Sequence, residues 1–217
     1  MLFDPQDSAD WRPVYRLLTS LVLPRPIAWV STCSGDGVHN LAPFSFFNVV
    51  CANPPTVVFC PMLAGRTGLP KDTLTNLREV PEFALQIVSR PLVEKMNLCS
   101  VETSSEVDEF QVAGLTAVPG SKISIPHVAE ASAVMECRLR EIITVGEGPG
   151  SGALVLGEVL LFRVDDSLLV NGEVDIERLD PVGRLGGAEY STVRDRFALD
   201  RPEPEALGLP QRGGKPA

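Results

Sequence analysis

Short apolar runs separated by turn residues dominate the hydrophobic pattern of this chain. The compact apolar run at residues 56–60 predicts a buried strand, and residues 83–88 predict another strand. Residues 133–145 alternate between apolar and polar positions, and residues 153–164 are largely apolar. Because the glycine-rich sequence GEGPGSG joins these last two segments, the pattern predicts a long antiparallel hairpin.

The segment 25–55 has the most informative pattern. Residues 26–32 form an apolar run that ends at the turn sequence SGDG, which predicts a hairpin. Residues 39–50 continue as extended chain, but Pro43 cannot donate a hydrogen bond to a sheet, so the strand must bulge or lie at an edge. Such a bend exposes backbone N–H and C=O groups that a planar ligand can use.

Helical spacing is confined to short segments. A helix is predicted within residues 8–23 with Ser8 as a possible N-cap, and another over residues 71–80 with Asp72 or Thr73 as the N-cap. Further short helices are predicted over residues 91–100, over residues 106–113 and after the NGEVD turn. Many strands with short helices and no regular βαβ alternation favour a mainly β barrel over a doubly wound sheet.

The length of 217 residues fits one substantial core, and we expect a single domain over residues 1–200. Residues 201–217 contain four prolines and three glycines, which predicts a mobile or partner-wrapped tail. The acidic N-terminus has no basic stretch, so no signal peptide is expected. No apolar run approaches the roughly 20 residues of a membrane span.

Charge and cysteine content narrow the functional classes. The 19 basic and 28 acidic residues give a net charge of −9, which argues against nucleic acid or an anionic membrane as a partner. The five cysteines are odd in number and form no CxxC pair, so free thiols in a cytoplasmic protein are expected. The two histidines lie far apart, and no metal site is predicted.

Several motifs occur in a fixed order over roughly residues 11–202: VST, NLAPFSFFN, NPP, KDTLTN, DEF, LGEV and RLGGAEY. In this order they resemble the flavin reductase-like family, whose members are FMN-binding split barrels. The resemblance implies a Greek-key split β-barrel that binds FMN and uses NADH or NADPH as co-substrate. It also implies a homodimer with flavin near the subunit interface, and the supply of reduced flavin to a partner monooxygenase.

The resemblance and the local chemistry together predict the cofactor site. Lys71 at a helix start offers a positive charge beside free N–H groups for a phosphate, and the bend at Pro43 offers backbone groups to a ring edge. The predicted cofactor contacts are Ser31, Thr32, Ala42, Pro43, Phe44, Ser45, Asn48, Lys71, Thr73, Arg184, Gly186 and Tyr190. No catalytic acid, base or nucleophile is predicted, since the hydride passes directly from nicotinamide to flavin N5.

The same residues have simpler interpretations when each is taken alone. KDT is then an ordinary capped surface helix, and Ser31 and Thr32 are strand-end hydroxyls bonded to a turn. RLGGAEY is equally a turn held by a surface ion pair, and His127 a packed or solvated side chain. Besides an NAD(P)H:FMN oxidoreductase, two functions therefore stay open: a flavoredoxin-like FMN electron carrier, and a flavin-binding module without efficient NAD(P)H turnover.

Overall fold

The computed structural model describes residues 2–65 and 67–209. In these residues the chain forms five α-helices: α1 (Trp11–Leu21), α2 (Asp72–Glu79), α3 (Val93–Leu98), α4 (Glu109–Val112) and α5 (Ile176–Leu179). It also forms four 3₁₀ turns: Pro5–Asp7, Arg90–Leu92, Asp166–Leu168 and Pro204–Leu207. None of the helices in this part of the chain is long and apolar enough to cross a bilayer. Residues 210–217 of the predicted tail lie outside the described residues.

Fourteen strands account for most of the regular structure that is described. They are β1 (Arg25–Pro26), β2 (Ala28–Cys33), β3 (His39–Phe44), β4 (Phe47–Ala52), β5 (Pro55–Phe59), β6 (Glu82–Ile87), β7 (Ala117–Val118), β8 (His127–Val128), β9 (Ala133–Val145), β10 (Gly152–Val164), β11 (Leu169–Val170), β12 (Glu173–Val174), β13 (Val182–Arg184) and β14 (Tyr190–Thr192). The mainly β class with short helices is therefore confirmed.

Seven strands form one antiparallel sheet in the order β3-β2-β6-β9-β10-β5-β4. β3 and β4 lie at opposite edges of this order, yet only Ser45 and Phe46 separate them in the chain. The sheet must therefore curl until its two edges meet at this turn. The chain between β5 and β6 crosses the β9–β10 hairpin, a connection typical of Greek-key folds. These features confirm the predicted split barrel.

The predicted long hairpin is confirmed, with β9 and β10 paired from Val145 and Gly152 to Ala133 and Val164. The register shifts at Gly157, where a Cβ atom would lie 2.2 Å from Cζ of Phe83. A glycine is required here because the buried ring occupies the space of any side chain.

β2 is buried on both faces, and its alternation divides the core in two. Ala28 and Val30 belong to the interior cluster with Phe59 and Phe83, which Leu74 of α2 also joins. The other face belongs to a second cluster, which includes Trp29, Met96 of α3 and Phe110 of α4. The site described below lies where these layers meet the free edge of β3.

Two predicted helix starts are wrong. Asp10, not Ser8, caps α1: its carboxylate accepts the N–H of Arg12 at 3.1 Å, whereas the Ser8 hydroxyl donates to the carbonyl O of Asp10. α2 has Lys71 at its N-cap position with no side-chain cap hydrogen bond, so neither Asp72 nor Thr73 caps it. The Thr73 hydroxyl is instead bonded to another strand, as described below.

The remaining helices are shorter than predicted. Residues 91–100 divide between the Arg90–Leu92 turn and α3, and the segment 106–113 retains only α4, which Asp108 caps. Gly114 follows α4 with a φ of 59°, as expected for a glycine that ends a helix. All five cysteines are free, as predicted.

Candidate functional site

Two adjoining clefts lie beside the bend of β3, and Pro43 and Ser100 line both. The helix cleft, of about 500 Å³, is lined by Asn40, Ala42, Lys71, Asp72, Thr73 and Glu109, among others. The arginine cleft, of about 380 Å³, is lined by Tyr15, Arg16, Arg25, Ser45, Arg184 and Tyr190, among others. Together they form a groove that follows the free edge of the barrel.

The first turn of α2 supplies hydrogen-bond donors to the helix cleft. The backbone N–H groups of Asp72 and Thr73 have no acceptor among the described residues, because a helix leaves its first N–H groups unpaired. Lys71 lines the same cleft, and its Nζ lies 5.9 Å from the ring centroid of Phe44. A free helix terminus beside an ammonium group favours an anion.

A buried chain of hydrogen bonds supports this helix start. The hydroxyl of Thr73 donates to Oδ1 of Asn40 at 2.9 Å, and Nδ2 of Asn40 donates to Oε2 of Glu109 at 3.2 Å. The same oxygen of Glu109 accepts the N–H of Leu41 at 2.9 Å. Because the Thr73 hydroxyl proton is used inside the protein, the backbone N–H is the donor that Thr73 offers to a ligand.

Glu109 is a buried carboxyl at the edge of the helix cleft. Burial raises its pKa above the ordinary range, while the hydrogen bond from Leu41 N–H acts in the opposite direction. Asp72 adds to the increase because its negative charge is close. Among its described lining residues, the helix cleft therefore combines Lys71 with the carboxyl groups of Asp72, Glu102 and Glu109.

Arg25 holds the arginine cleft together. It is only 5% exposed, and its guanidinium donates to four acceptors. These are the carbonyl oxygens of Thr19 at 2.7 Å, Val22 at 3.0 Å and Leu185 at 2.9 Å, and Oγ of Ser45 at 3.3 Å. One side chain thus joins the end of α1, the β3–β4 turn and the loop after β13. Burial lowers the pKa of Arg25, and the nearby charge of Arg184 acts in the same direction.

Arg184 and Tyr190 form the opposite wall of the arginine cleft. The guanidinium of Arg184 donates to the hydroxyl of Tyr190 and to the carbonyl O of Gly187, and its Cζ lies 4.6 Å from the Tyr190 ring centroid. The Tyr190 hydroxyl donates in turn to Oδ1 of Asn97 at 3.1 Å. These contacts fix the plane of the guanidinium, which favours recognition of carboxylate or phosphate groups.

The structure brings together seven of the predicted contacts. They are Ala42, Lys71 and Thr73 in the helix cleft, Pro43 in both clefts, and Ser45, Arg184 and Tyr190 in the arginine cleft. Gly186 lies just behind, where a Cβ atom would be 3.5 Å from Oγ of Ser20. The N-terminal and C-terminal motifs of the chain therefore meet at one groove.

Four other predicted residues do not line either cleft. Ser31 is fully buried, and its hydroxyl donates to the carbonyl O of Pro126 at 2.6 Å. Thr32 is also buried, and its hydroxyl donates to Asn40 Oδ1 at 3.4 Å. Phe44 packs into the barrel with its ring 5.2 Å from that of Phe59, and Asn48 is exposed on β4. The hydroxyls of Ser31 and Thr32 are thus bonded within the protein.

Several residues of the groove were not predicted from the sequence. In the sequence, Arg16 lies within a predicted helix, Arg25 lies just before a predicted strand, and Asn40 and Glu109 lie within the NLAPFSFFN and DEF motifs. The sequence feature that could have indicated Asn40 and Glu109 is the presence of both motifs, NLAPFSFFN and DEF, in the same chain. No local signal indicated that Arg25 would be buried. His127, which lies in β8, is a packed histidine.

Comparisons with known proteins agree with this architecture. The family model described as flavin reductase like domain matches residues 20–176. An uncharacterized protein of Halalkalibacterium halodurans is 42% identical over 200 residues, which cover 90% of this chain and 94% of that protein. The sequence match therefore extends over most of both chains.

Two solved structures are similar over nearly their whole length. Nitrilotriacetate monooxygenase component B from Bacillus cereus has a TM-score of 0.86 and 33% identity, with 92% of this chain and 98% of that chain covered. The 2-nitrobenzoate 2-nitroreductase NbaA of Pseudomonas fluorescens has a TM-score of 0.80 and 29% identity, with 98% and 100% covered. With the matched family model and the split barrel, these findings show that the chain belongs to the flavin reductase-like family.

Proposed function

We propose that this protein binds FMN in the groove beside the β3 bend and reduces it with NADH or NADPH. The observation that carries the proposal is the meeting of Lys71, the free first turn of α2 and the bent strand at Pro43 in one cleft. A flavin nucleotide requires an anion site for its phosphate and polar groups at the edge of its ring system. The family supports flavin as the cofactor class.

The residues present suit the chemistry of FMN. Lys71 and the N–H groups of Asp72 and Thr73 are positioned to hold the phosphate. The half-buried bend at Ala42, Pro43 and Ser45 is positioned to meet the edge of the ring system. Arg184, Gly186 and Tyr190 complete the far side of the groove, as the family resemblance implies.

When bound, FMN supplies the hydride acceptor, so the side chains need to orient and enclose the reactants rather than attack them. Arg25 fixes the β3–β4 turn to the loop after β13 and thereby sets the width of the groove. The Glu109–Asn40–Thr73 hydrogen bonds fix the start of α2 against β3. Rigid positioning of this kind is a main source of rate enhancement in reactions between two bound molecules.

The proposal includes a homodimer in the cytoplasm. β4 is an edge strand of the sheet, and its Val49 and Val50 side chains are 65% and 51% exposed. Exposed apolar side chains on a sheet edge favour association with another chain. A flavin-dependent monooxygenase as the recipient of reduced flavin is supported by the similarity to a monooxygenase component B.

Titration of the purified protein with FMN tests the cofactor site. Lys71→Ala should weaken FMN binding by about 1.5–3 kcal/mol, because one charge-assisted contact is lost. Lys122→Ala is the matched control, since Lys122 is exposed and lines neither cleft. Unchanged FMN affinity in Lys71→Ala would remove Lys71 from the site.

Anaerobic absorbance with FMN distinguishes the oxidoreductase from the other two functions. Bleaching of the yellow protein by NADH or NADPH is expected for an NAD(P)H:FMN oxidoreductase. A yellow protein that neither nucleotide bleaches would instead be a flavoredoxin-like electron carrier or a flavin-binding module. A colourless protein that takes up no added FMN would contradict flavin binding altogether.

A further inference from the structure

The arginine cleft has more positive charge than the one arginine, Arg184, that the proposed FMN site includes. Arg16, Arg25 and Arg184 line it, and none of its described lining residues is an aspartate or glutamate. Among the described residues, no carboxylate oxygen lies within 4 Å of any of these three guanidinium groups. In a chain with a net charge of −9, three arginines without an ion pair in one cleft favour an anionic ligand.

Arg25 is the strongest part of this observation, because it is a cation buried without a carboxylate. Burying a charge is costly unless it is paired, and here carbonyl and hydroxyl oxygens alone provide the partners. The lowered pKa of Arg25 agrees with this geometry. A bound anion would restore the missing charge partner.

We propose that the arginine cleft is a second ligand site, which binds a planar ring that carries an anionic group. The floor of the cleft is apolar, since the buried side chains of Ile27 and Met96 line it beside Pro43. Tyr15 and Tyr190 provide aromatic side walls, and the arginines lie around them. An apolar floor with a cationic rim suits a flat ring whose substituent is a carboxylate or phosphate.

The size of the cleft limits the ligand. A volume of about 380 Å³ is at the small end of ligand cavities and suits one ring with its substituents. Two sources share this chemistry: an aromatic carboxylate, and the phosphate-bearing half of a nicotinamide nucleotide. Because Pro43 and Ser100 line both clefts, the ligand would lie next to the groove assigned to FMN. Its role as a redox partner rests on the proposed function, whereas its binding does not.

Isothermal titration calorimetry on the full-length protein, with and without FMN, tests the site. Benzoate and benzamide differ mainly in charge, and nicotinamide mononucleotide and nicotinamide riboside differ in the phosphate. We expect the anionic member of at least one pair to bind at least about tenfold more tightly than its uncharged or phosphate-free analogue. The pair that shows this difference identifies the source of the anion.

Arginine variants locate the binding. Arg184→Gln should weaken binding of the anionic probe by about tenfold or more, and Arg16→Gln by a smaller factor, because Arg16 is exposed on α1. Arg12→Gln is the matched control: it removes the same charge from the same helix, but Arg12 lines neither cleft. Arg16→Gln keeps the test valid if Arg184→Gln folds poorly.

The two sites should respond to different substitutions. Lys71→Ala should weaken FMN and leave the anionic probe within about twofold of wild type. Arg16→Gln should weaken the anionic probe and leave FMN binding within about twofold of wild type, because Arg16 is not part of the proposed FMN site. The second-site proposal is overturned if no probe binds, if charge makes no difference, or if FMN displaces the probe competitively. It is also overturned if Arg184→Gln leaves probe binding unchanged. Unchanged FMN binding in Lys71→Ala would count only against the FMN site.

Discussion

The helix cleft and the arginine cleft share the bend at Pro43 but present different electrostatics to a ligand. Among the described residues, the lining of the helix cleft includes Lys71 and the carboxyl groups of Asp72, Glu102 and Glu109. The described lining of the arginine cleft includes three arginines and no carboxyl group. The described residues therefore give the arginine cleft the more positive lining.

The two clefts also differ in the hydrogen-bond donors that they offer to a ligand. In the helix cleft, two backbone N–H groups at the start of α2 have no acceptor among the described residues, and Lys71 lines the same cleft. In the arginine cleft, the guanidinium of Arg25 already donates four hydrogen bonds to the protein, so Arg25 acts on a ligand through its charge. Arg184 instead offers its planar guanidinium to the ligand. The comparison suggests two anion sites of different kinds. One would bind through backbone N–H donors at a helix start, and the other mainly through the charge of its arginines.

The largest effect is expected at Arg25, which holds the arginine cleft together. Arg25→Gln leaves buried carbonyl groups of α1 and of Leu185 without donors, so we expect a loss of about 3 kcal/mol in the free energy of unfolding. Arg25→Lys keeps the charge but not the fork, and should lose about half as much. Urea denaturation of the three proteins measures both values.

Equal losses in the two Arg25 variants would mean that the fork, rather than the charge, stabilises this region. A Gln variant as stable as wild type would show that these four hydrogen bonds do not hold the clefts together. In that case Arg184, and not Arg25, would hold the arginine cleft in shape.

The next effect concerns the hydroxyl of Thr73 in the helix cleft. Thr73→Val removes the buried donor to Asn40 Oδ1, and should lower the free energy of unfolding by about 1–2 kcal/mol. Thr73→Ser retains the hydroxyl and is the matched control. Because the backbone N–H is retained in both variants, FMN titration should show a smaller loss of affinity than in Lys71→Ala. If Thr73→Val lowered FMN affinity as much as Lys71→Ala does, the Thr73 hydroxyl would have to contact the ligand.

The features of the fold and of the clefts that depend on local sequence patterns could be predicted from the sequence. The β9–β10 hairpin follows from alternation and a glycine-rich turn within one short stretch. Lys71 at the start of α2 follows from helical spacing in the next ten residues. Local signals of this kind need no knowledge of distant partners.

Contacts between distant parts of the chain could not be predicted in the same way. Ser31 was predicted to contact the cofactor, but its hydroxyl acceptor at Pro126 lies 95 residues away. The buried role of Arg25 depends on Leu185, which lies 160 residues away. An arginine between two prolines gives no indication of that partner, and charged residues are usually exposed.

A smaller, pH-dependent effect is expected at Glu109. Its raised pKa means that the folded chain holds this proton more tightly than the unfolded chain does. The stabilisation from this group is therefore full at low pH and is lost as pH rises through the folded pKa. Since Glu109→Gln cannot titrate, the stability of the variant relative to wild type should increase from about pH 4 to pH 7.

Urea denaturation across this pH range measures the Glu109 effect. FMN affinity at pH 7 should also rise, by about threefold, because one carboxyl group is removed from the helix cleft. A stability difference that does not vary with pH would contradict the raised pKa. Weaker FMN binding in Glu109→Gln would indicate that Asn40 needs the carboxylate to hold its orientation.

The smallest effect is expected for Tyr190→Phe in the arginine cleft. This change removes the hydroxyl that bridges Arg184 and Asn97 but keeps the ring against the guanidinium. We expect a stability loss below about 1 kcal/mol and a roughly threefold weaker binding of the anionic probe, because Arg184 remains but is less well oriented. Calorimetry with wild type, Tyr190→Phe and Arg184→Gln compares the three. If Tyr190→Phe weakens binding of the anionic probe as much as Arg184→Gln does, the hydroxyl itself contacts the anion. Binding in the arginine cleft would then not depend on charge alone.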